Sequence, residues 1–373
     1  MPNIIDYAES TLATVNAEPI GPVDSLILSQ FVYFHFPAEI KGISDWRGVK
    51  LSELFRAECF EGMFFDMLDI ESSRRLLTAM AASPRYRNAV VKGFHEHTDL
   101  KSEKQFAAIC VQFNDETSYV SFRGTDSSIV GWKEDFNMAF RSPVPSQKAA
   151  LDYLKIAAEH CKGDLYVGGH SKGGNLAVYA SAYAESNIKN RIRRIFSHDG
   201  PGFLKSMLES DAFASVSDKL DKTVPQSSFV GMLLEEHEIY RVIKSSKSGG
   251  IMQHDPFTWE VDGNDFIPVP SLSARAKLID KTMNNWIVSM SVDERKDLVS
   301  RIFGWVDAEN IKTTAEFETK AKGILKSVKS EYKKDEKTRA VIDKNFKAIL
   351  SFGIKTVSER RKNGKVKKPE KDR

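Results

Sequence analysis

The chain has 373 residues, 41% of them apolar and 28% charged, with a formal net charge of +3. That length fits one large α/β domain with an appendage or two modest domains, and the apolar fraction supports a buried core. The near-balanced charge argues against nucleic acid as a main partner. Three widely spaced cysteines, Cys59, Cys110 and Cys161, form neither a metal pattern nor a disulfide framework, and their odd number fits a reducing compartment. The opening segment carries Asp6, Glu9 and Glu18 and no basic stretch, unlike a signal peptide, and no apolar run has the length to span a bilayer. The expected location is the cytoplasm.

In chain order, residues 1–100 read as mixed loops and helices, with helical stretches over Asp24–Phe36 and Ser72–Ala82. The apolar run Phe106–Phe113, the turn Asn114-Asp115 and the run Ser118–Phe122 predict two strands joined by a tight turn. Gln147–His160 places Ala150, Tyr153, Leu154 and Ala157 at helical spacing. Leu165–Val167, Arg194–Ser197, Ser228–Leu234 and Tyr240–Lys244 are the next predicted strands. Strands alternating with helices argue for a mostly parallel sheet covered on both faces. After Pro270 the pattern becomes amphipathic helix, first around Trp286, Ile287 and Met290, then around Leu298, Ile302, Phe303 and Val306. Ile324, Leu325, Val328, Val341, Ile342, Phe346, Ile349 and Leu350 suggest a helical pair. Residues 360–373 are dense in Lys and Arg and read as a disordered tail that can touch anionic surfaces weakly. The division expected is therefore 1–270, 271–359 and 360–373.

One stretch carries chemistry. Gly169-His170-Ser171-Lys172-Gly173 follows a short apolar strand and leads into a small-residue helix, which is the setting that gives a Gly-x-Ser-x-Gly match its meaning. The serine sits at the tip of a sharp turn, and the flanking glycines let strand and helix cross closely. Ser171 is thus the candidate nucleophile of an α/β-hydrolase fold, whose partners follow in the order acid, then histidine. Of eight histidines, His35, His95, His97 and His160 precede the serine, and His198 follows too closely to leave room for an acid. His170 lies inside the elbow and is expected to point away from the reacting centre. His237 stands in a charged run. His254, in a loop after the last predicted strand, is the expected base. For the acid, Asp199, in a Gly-Pro turn after a strand, is the first candidate, and Glu235 or Glu236, after the next strand, are its alternatives. The oxyanion donors expected are the backbone N–H of Lys172 and the N–H and hydroxyl of Thr125, in the loop that opens with Gly124. Neither a cofactor nor a metal is expected.

Phe122-Arg123-Gly124-Thr125, Gly131-Trp132-Lys133-Glu134-Asp135-Phe136 and Gly169–Gly174 together resemble the signatures of class 3 (fungal-type) lipases. With Asp199-Gly200-Pro201-Gly202-Phe203 and Gln253-His254-Asp255-Pro256-Phe257, the chain looks like a bacterial family allied to those lipases, over roughly residues 20–300. The resemblance implies Ser171 as nucleophile, His254 as base, Thr125 and Lys172 at the oxyanion hole, and an Arg123–Asp135 pair bracing the oxyanion loop. This chain departs from the pattern in carrying Lys172 where those lipases have an apolar residue. It also lacks their usual Asp-x-Val-Pro stretch. Its nearest equivalent ends in Val224-Pro225 and makes Asp221 a third acid candidate.

The expected activity is hydrolysis of a small-molecule or lipid ester through a Ser-acid-His triad. The competing expectation is a binding protein that keeps the fold and uses its helical, basic C-terminal region.

Overall fold

An antiparallel meander runs into a parallel sheet at the strand that carries the oxyanion loop. The computed structural model describes residues 1–234, 240–249, 251–309 and 311, with scattered residues from 316 to 345. Two units emerge, Met1–Leu272 and Ser273–Arg373. In the first, β1 (Val49–Lys50), β2 (Val90–Asp99), β3 (Lys104–Asn114), β4 (Thr117–Phe122), β5 (Asp164–His170), β6 (Ile192–His198), β7 (Leu220–Pro225) and β8 (Arg241–Ile243) lie side by side in chain order. Pairings from β1 to β4 are antiparallel, and those from β4 to β8 are parallel. Helices Pro145–His160 and Lys172–Tyr183 make the crossovers into β5 and β6. This is the α/β-hydrolase fold.

Strand alternation sends neighbouring side chains to opposite faces. On β4, Tyr119 and Ser121 meet the helix Pro22–Phe31: the Tyr119 hydroxyl lies 2.6 Å from Ser25 Oγ, and Ser121 donates to the Leu28 carbonyl at 2.9 Å. Phe122, on the other face, packs edge-on against Tyr153 of Pro145–His160. Every residue of Pro22–Phe31 is buried, including Asp24, which takes a two-pronged ion pair from Arg85 at 2.6 Å. The helix ends in tight turns, Tyr33 N–H donating to Gln30 and Phe34 N–H to Phe31.

The N-terminus closes on a distant segment. Asn3 caps helix Ile4–Ser10 and donates from its carboxamide to the Phe257 carbonyl at 3.1 Å, while Val261 N–H donates to the Pro2 carbonyl at 3.0 Å. Cys110 and Cys161, far apart in sequence, meet as buried free thiols with Sγ atoms 3.2 Å apart, a pairing their spacing does not suggest.

Two expectations need correction. Residues 1–100 contain the long strand β2, whose alternation is broken by Gly93 at φ 63° and a register shift between Lys92 and His95. Ser228–Leu234 is not a strand. It forms a short 3₁₀ turn, Val230–Met232, and the strand lies earlier at β7, where Lys222 and Pro225 disguise it.

In the second unit, helices Ala274–Val288 and Val292–Ala308 are capped by Ser273 and Ser291, the latter in a capping box with Glu294. Val299, Phe303 and Val306 form the buried stripe of the second helix. Ile324, Leu325, Phe346, Ile349, Leu350 and residues 360–373 lie outside the described residues.

Candidate active site

Ser171 joins β5 to helix Lys172–Tyr183 with φ 58° and ψ −133°, a conformation that a side chain resists. Packing around it enforces the turn. A Cβ on Gly169 would stand 2.2 Å from the Gly173 backbone, and one on Gly173 would stand 2.1 Å from the Phe122 carbonyl oxygen. Only two glycines let strand, turn and helix cross this closely. The Ser171 N–H donates to the His198 carbonyl on β6 at 2.9 Å, which fixes the tip over the parallel half of the sheet.

Beyond β6, Asp199 takes φ 49° and is fully buried. His254 Nδ1 donates to its Oδ2 at 2.6 Å, and Oδ1 accepts from Ser228 Oγ at 2.5 Å and from Gly231 N–H at 3.1 Å. The residues read as a strand from sequence, Ser228–Leu234, are thus the turn that wraps this carboxylate. Asp221, the acid suggested by the class 3 pattern, points elsewhere: Arg194 and Arg241 hold it at 2.8 and 3.1 Å. Glu235, Glu236 and His237 lie outside the described residues.

His254 ends a short 3₁₀ turn, and Gln253 and Asp255 on either side of it hold that turn in place. The Gln253 carboxamide accepts from Ser227 N–H at 2.8 Å and donates to the Lys247 carbonyl at 2.6 Å. Buried Trp259 donates from its indole to the Gln253 carbonyl at 2.9 Å, and Asp255 caps the following turn. His170 does not simply point away. Its Nε2 donates to the His254 carbonyl at 2.8 Å, and its ring lies 4.4 Å from the His254 ring. Burial holds the His170 imidazole well below its ordinary range, reinforced by His254 and His198, so it stays neutral as a prop for the base. His198 is buried against Ser25 and pushed down to about 3, chiefly by burial. Among the described residues no hydrogen bond joins Ser171 Oγ to His254. Such bonds often tighten only when substrate is bound.

The oxyanion side differs from expectation. Thr125 Oγ1 donates to Asp135 Oδ2 at 2.5 Å. Arg123, almost fully buried, pairs with Glu96 at 2.6 Å and Asp126 at 3.3 Å, so the expected Arg123–Asp135 brace does not form. Asp135 faces Lys172 instead, whose ammonium is buried among the Gln105 carbonyl at 2.9 Å, Gln105 Oε1 at 2.6 Å and Glu134 Oε2 at 3.1 Å. Glu134 also accepts from the N–H groups of Gln105 and Ser146, at 3.1 and 2.8 Å. A buried ammonium needs a buried carboxylate, and Glu134 supplies it from helix Ile129–Asn137. Lys172 therefore sits inside the protein and pins helix Ile129–Asn137 to the elbow. Burial pushes the Asp135 carboxyl up to about 6, against the pull of Lys172 and of the Thr125 hydroxyl.

Gln105, Ser228, Gly231 and Trp259 lie outside every motif, and Glu134 and Gln253 stand inside two of them with no role that the motif names. The one usable signal is Lys172 itself, because a lysine beside a buried serine requires an acid such as Glu134 nearby.

Several fungal lipases are among the solved structures that resemble the chain. The Rhizomucor miehei lipase propeptide complex is 21% identical over 39% of this chain and 52% of its own, at a TM-score of 0.28, so the chain spans about half of that lipase. A fungal lipase–inhibitor complex is 15% identical over 68% of this chain and 90% of its own, at 0.37. M37 lipase is 13% identical over 56% and 68%, at 0.35. Likeness at this level assigns no activity. No curated protein matches the chain. The family model described as Mbeg1-like matches residues 80–304, more than half of the chain, and the chain belongs to that family.

Proposed function

We propose that the protein is a serine hydrolase of carboxylic esters, with Ser171 as nucleophile, His254 as base and Asp199 as the orienting acid. The observation that carries this reading is the buried Asp199 carboxylate bonded to His254 Nδ1 at 2.6 Å, beside a serine held at φ 58°. A carboxylate on Nδ1 leaves Nε2 unprotonated and able to take the serine proton. Ser171 Oγ adds to the ester carbonyl, its proton passes to His254 Nε2, and that proton is given to the departing alcohol. Water then repeats the sequence and releases the acid. Backbone N–H groups of Thr125 and Lys172 face the developing oxyanion.

Exposed apolar side chains on segments that carry or border the site support an apolar acyl chain. They are Trp132 and Phe136 on helix Ile129–Asn137, Met252 in the His254 turn, and Phe65 on the loop whose Asp66 accepts from Ser127. No described helix is long and apolar enough to cross a membrane. The cytoplasm is the proposed setting, supported by the odd number of cysteines.

Labelling with a fluorophosphonate and hydrolysis of short-chain p-nitrophenyl esters test the reading. Wild type should do both, and Ser171→Ala should lose labelling and on the order of 10⁴–10⁶-fold of kcat. Unchanged hydrolysis in that variant overturns the assignment and favours a binding protein on the same fold.

A further inference from the structure

A hydroxyl has one proton to give, and the Thr125 proton is committed to Asp135. The side chain that the sequence offers as an oxyanion donor is therefore occupied, which leaves backbone N–H groups on that side of the site. A phenol stands against the same loop, its oxygen accepting from the Gly124 N–H. A Cβ built on Gly124 would lie 2.2 Å from the Tyr33 hydroxyl, 2.6 Å from the His170 carbonyl oxygen and 3.0 Å from Ser171 Cβ. The Tyr33 oxygen and the nucleophile thus flank the same point across the oxyanion loop. Gly124 has room for no side chain there because the phenol fills the space.

We propose that Tyr33 is a third oxyanion donor, acting beside the N–H groups of Thr125 and Lys172. The proposal rests on the reading of Ser171 as nucleophile. As Ser171 Oγ bonds to the carbonyl carbon, the carbonyl π pair moves onto oxygen and the serine proton goes to His254 Nε2. The Tyr33 O–H donates a hydrogen bond to that oxyanion and keeps its proton. When the tetrahedral adduct collapses, the carbonyl re-forms, the alkoxide leaves with the proton from His254, and the Tyr33 bond weakens again.

Three further observations support the role. Tyr33 lies just past the fully buried helix Pro22–Phe31, in a turn fixed by its own N–H on Gln30, so the ring is placed by rigid structure. Its side chain is half-buried, and the bond on its oxygen is one it accepts, from the Gly124 N–H, which leaves its own proton to give. Burial holds the phenol well above the ordinary tyrosine range, aided by Asp135 and Asp126 against the pull of Arg123. The group stays a donor throughout the range in which a neutral histidine can act as base.

The test uses the full chain with Tyr33→Phe and Tyr33→Leu. A donor role predicts that both variants lose a similar factor in kcat for a p-nitrophenyl ester, on the order of 10²-fold, with KM little changed. The rate of Ser171 phosphonylation should fall in parallel, and the thermal midpoint of Tyr33→Phe should match wild type. Wild-type turnover in Tyr33→Phe, with loss only in Tyr33→Leu, shows a packing ring and overturns the donor role alone. A wild-type chain that neither labels at Ser171 nor hydrolyses the ester overturns the hydrolase reading and the donor role together.

Discussion

Asp199 commits both carboxylate oxygens, one to His254 and the other to Ser228 and Gly231, while its backbone takes a left-handed conformation. An amide cannot serve all three donors, because one of its two heteroatoms is itself a donor. Asp199→Asn should keep the circular dichroism spectrum of the folded chain and lower kcat by about 10⁴-fold, since the histidine tautomer is no longer held. Near-normal turnover would move the acid to Glu235 or Glu236. Asp135 makes a different prediction. Its folded pKa, about 6, lies above its ordinary value, so the folded state binds the proton more tightly than the unfolded chain does. Between the two values stability falls as pH rises, and above about pH 6 the ionised group carries the cost of its partial burial, moderated by the 30% of its side chain that stays exposed. Asp135→Asn should therefore raise the thermal midpoint at pH 7.5, with the gain shrinking as pH falls toward 4; a constant difference across that range refutes it. At this scale the serine and the histidine are legible because a motif and a chain order name them. The acid is less so: its turn makes Asp199 the first candidate, but only the meeting of loops separates it from Asp221 and the two glutamates. Sequence spacing says nothing of Arg194 and Arg241 closing on Asp221.

The elbow is the element where sequence and geometry agree most directly, because glycine at two positions has a steric cause. Gly173→Ala should cost several kcal/mol, given a contact of 2.1 Å with the Phe122 carbonyl that neither strand nor helix can relieve. Gly304, on helix Val292–Ala308, has nothing within 4 Å of an added Cβ, so Gly304→Ala should be neutral or stabilise by up to about 1 kcal/mol. Urea midpoints of the two variants provide the comparison, and equal effects would sink the steric account. Other elements are less legible. β2 hides behind a glycine and a register shift, and β7 behind Lys222 and Pro225. The run Ser228–Leu234 has a strand's composition, but its N–H and hydroxyl groups are spent on Asp199 instead of a ladder. Periodicity reports burial, and here burial comes from wrapping a carboxylate.

At the scale of the whole molecule, the first unit brings its N-terminal residues to the segment that follows the candidate base. Asn3 both caps helix Ile4–Ser10 and reaches Phe257, so Asn3→Ala should lose about 1 kcal/mol from the cap and also slacken the His254 turn. A lower kcat than a cap-only substitution such as Ser291→Ala, at matched loss of stability, would show the second effect; equal kcat would limit Asn3 to the helix. Composition and motif order indicate an α/β domain with a helical extension. They are silent on this closure, because two short polar groups so far apart in sequence carry no pattern that links them.

That closure orders events on the ribosome. The strands from β1 to β6 and the glycine elbow leave the exit tunnel well before Phe257 and Val261 exist. Ser171 can take its strained turn on a nascent chain, but His254 has not yet been made, and the Asn3 carboxamide N–H lacks its Phe257 acceptor. A chain synthesised from its N-terminus thus carries the serine for many residues without a base. Under the proposed mechanism the Ser171–His254 pair can act only after the last segment of the first unit is released and Asn3 and Pro2 have closed onto it.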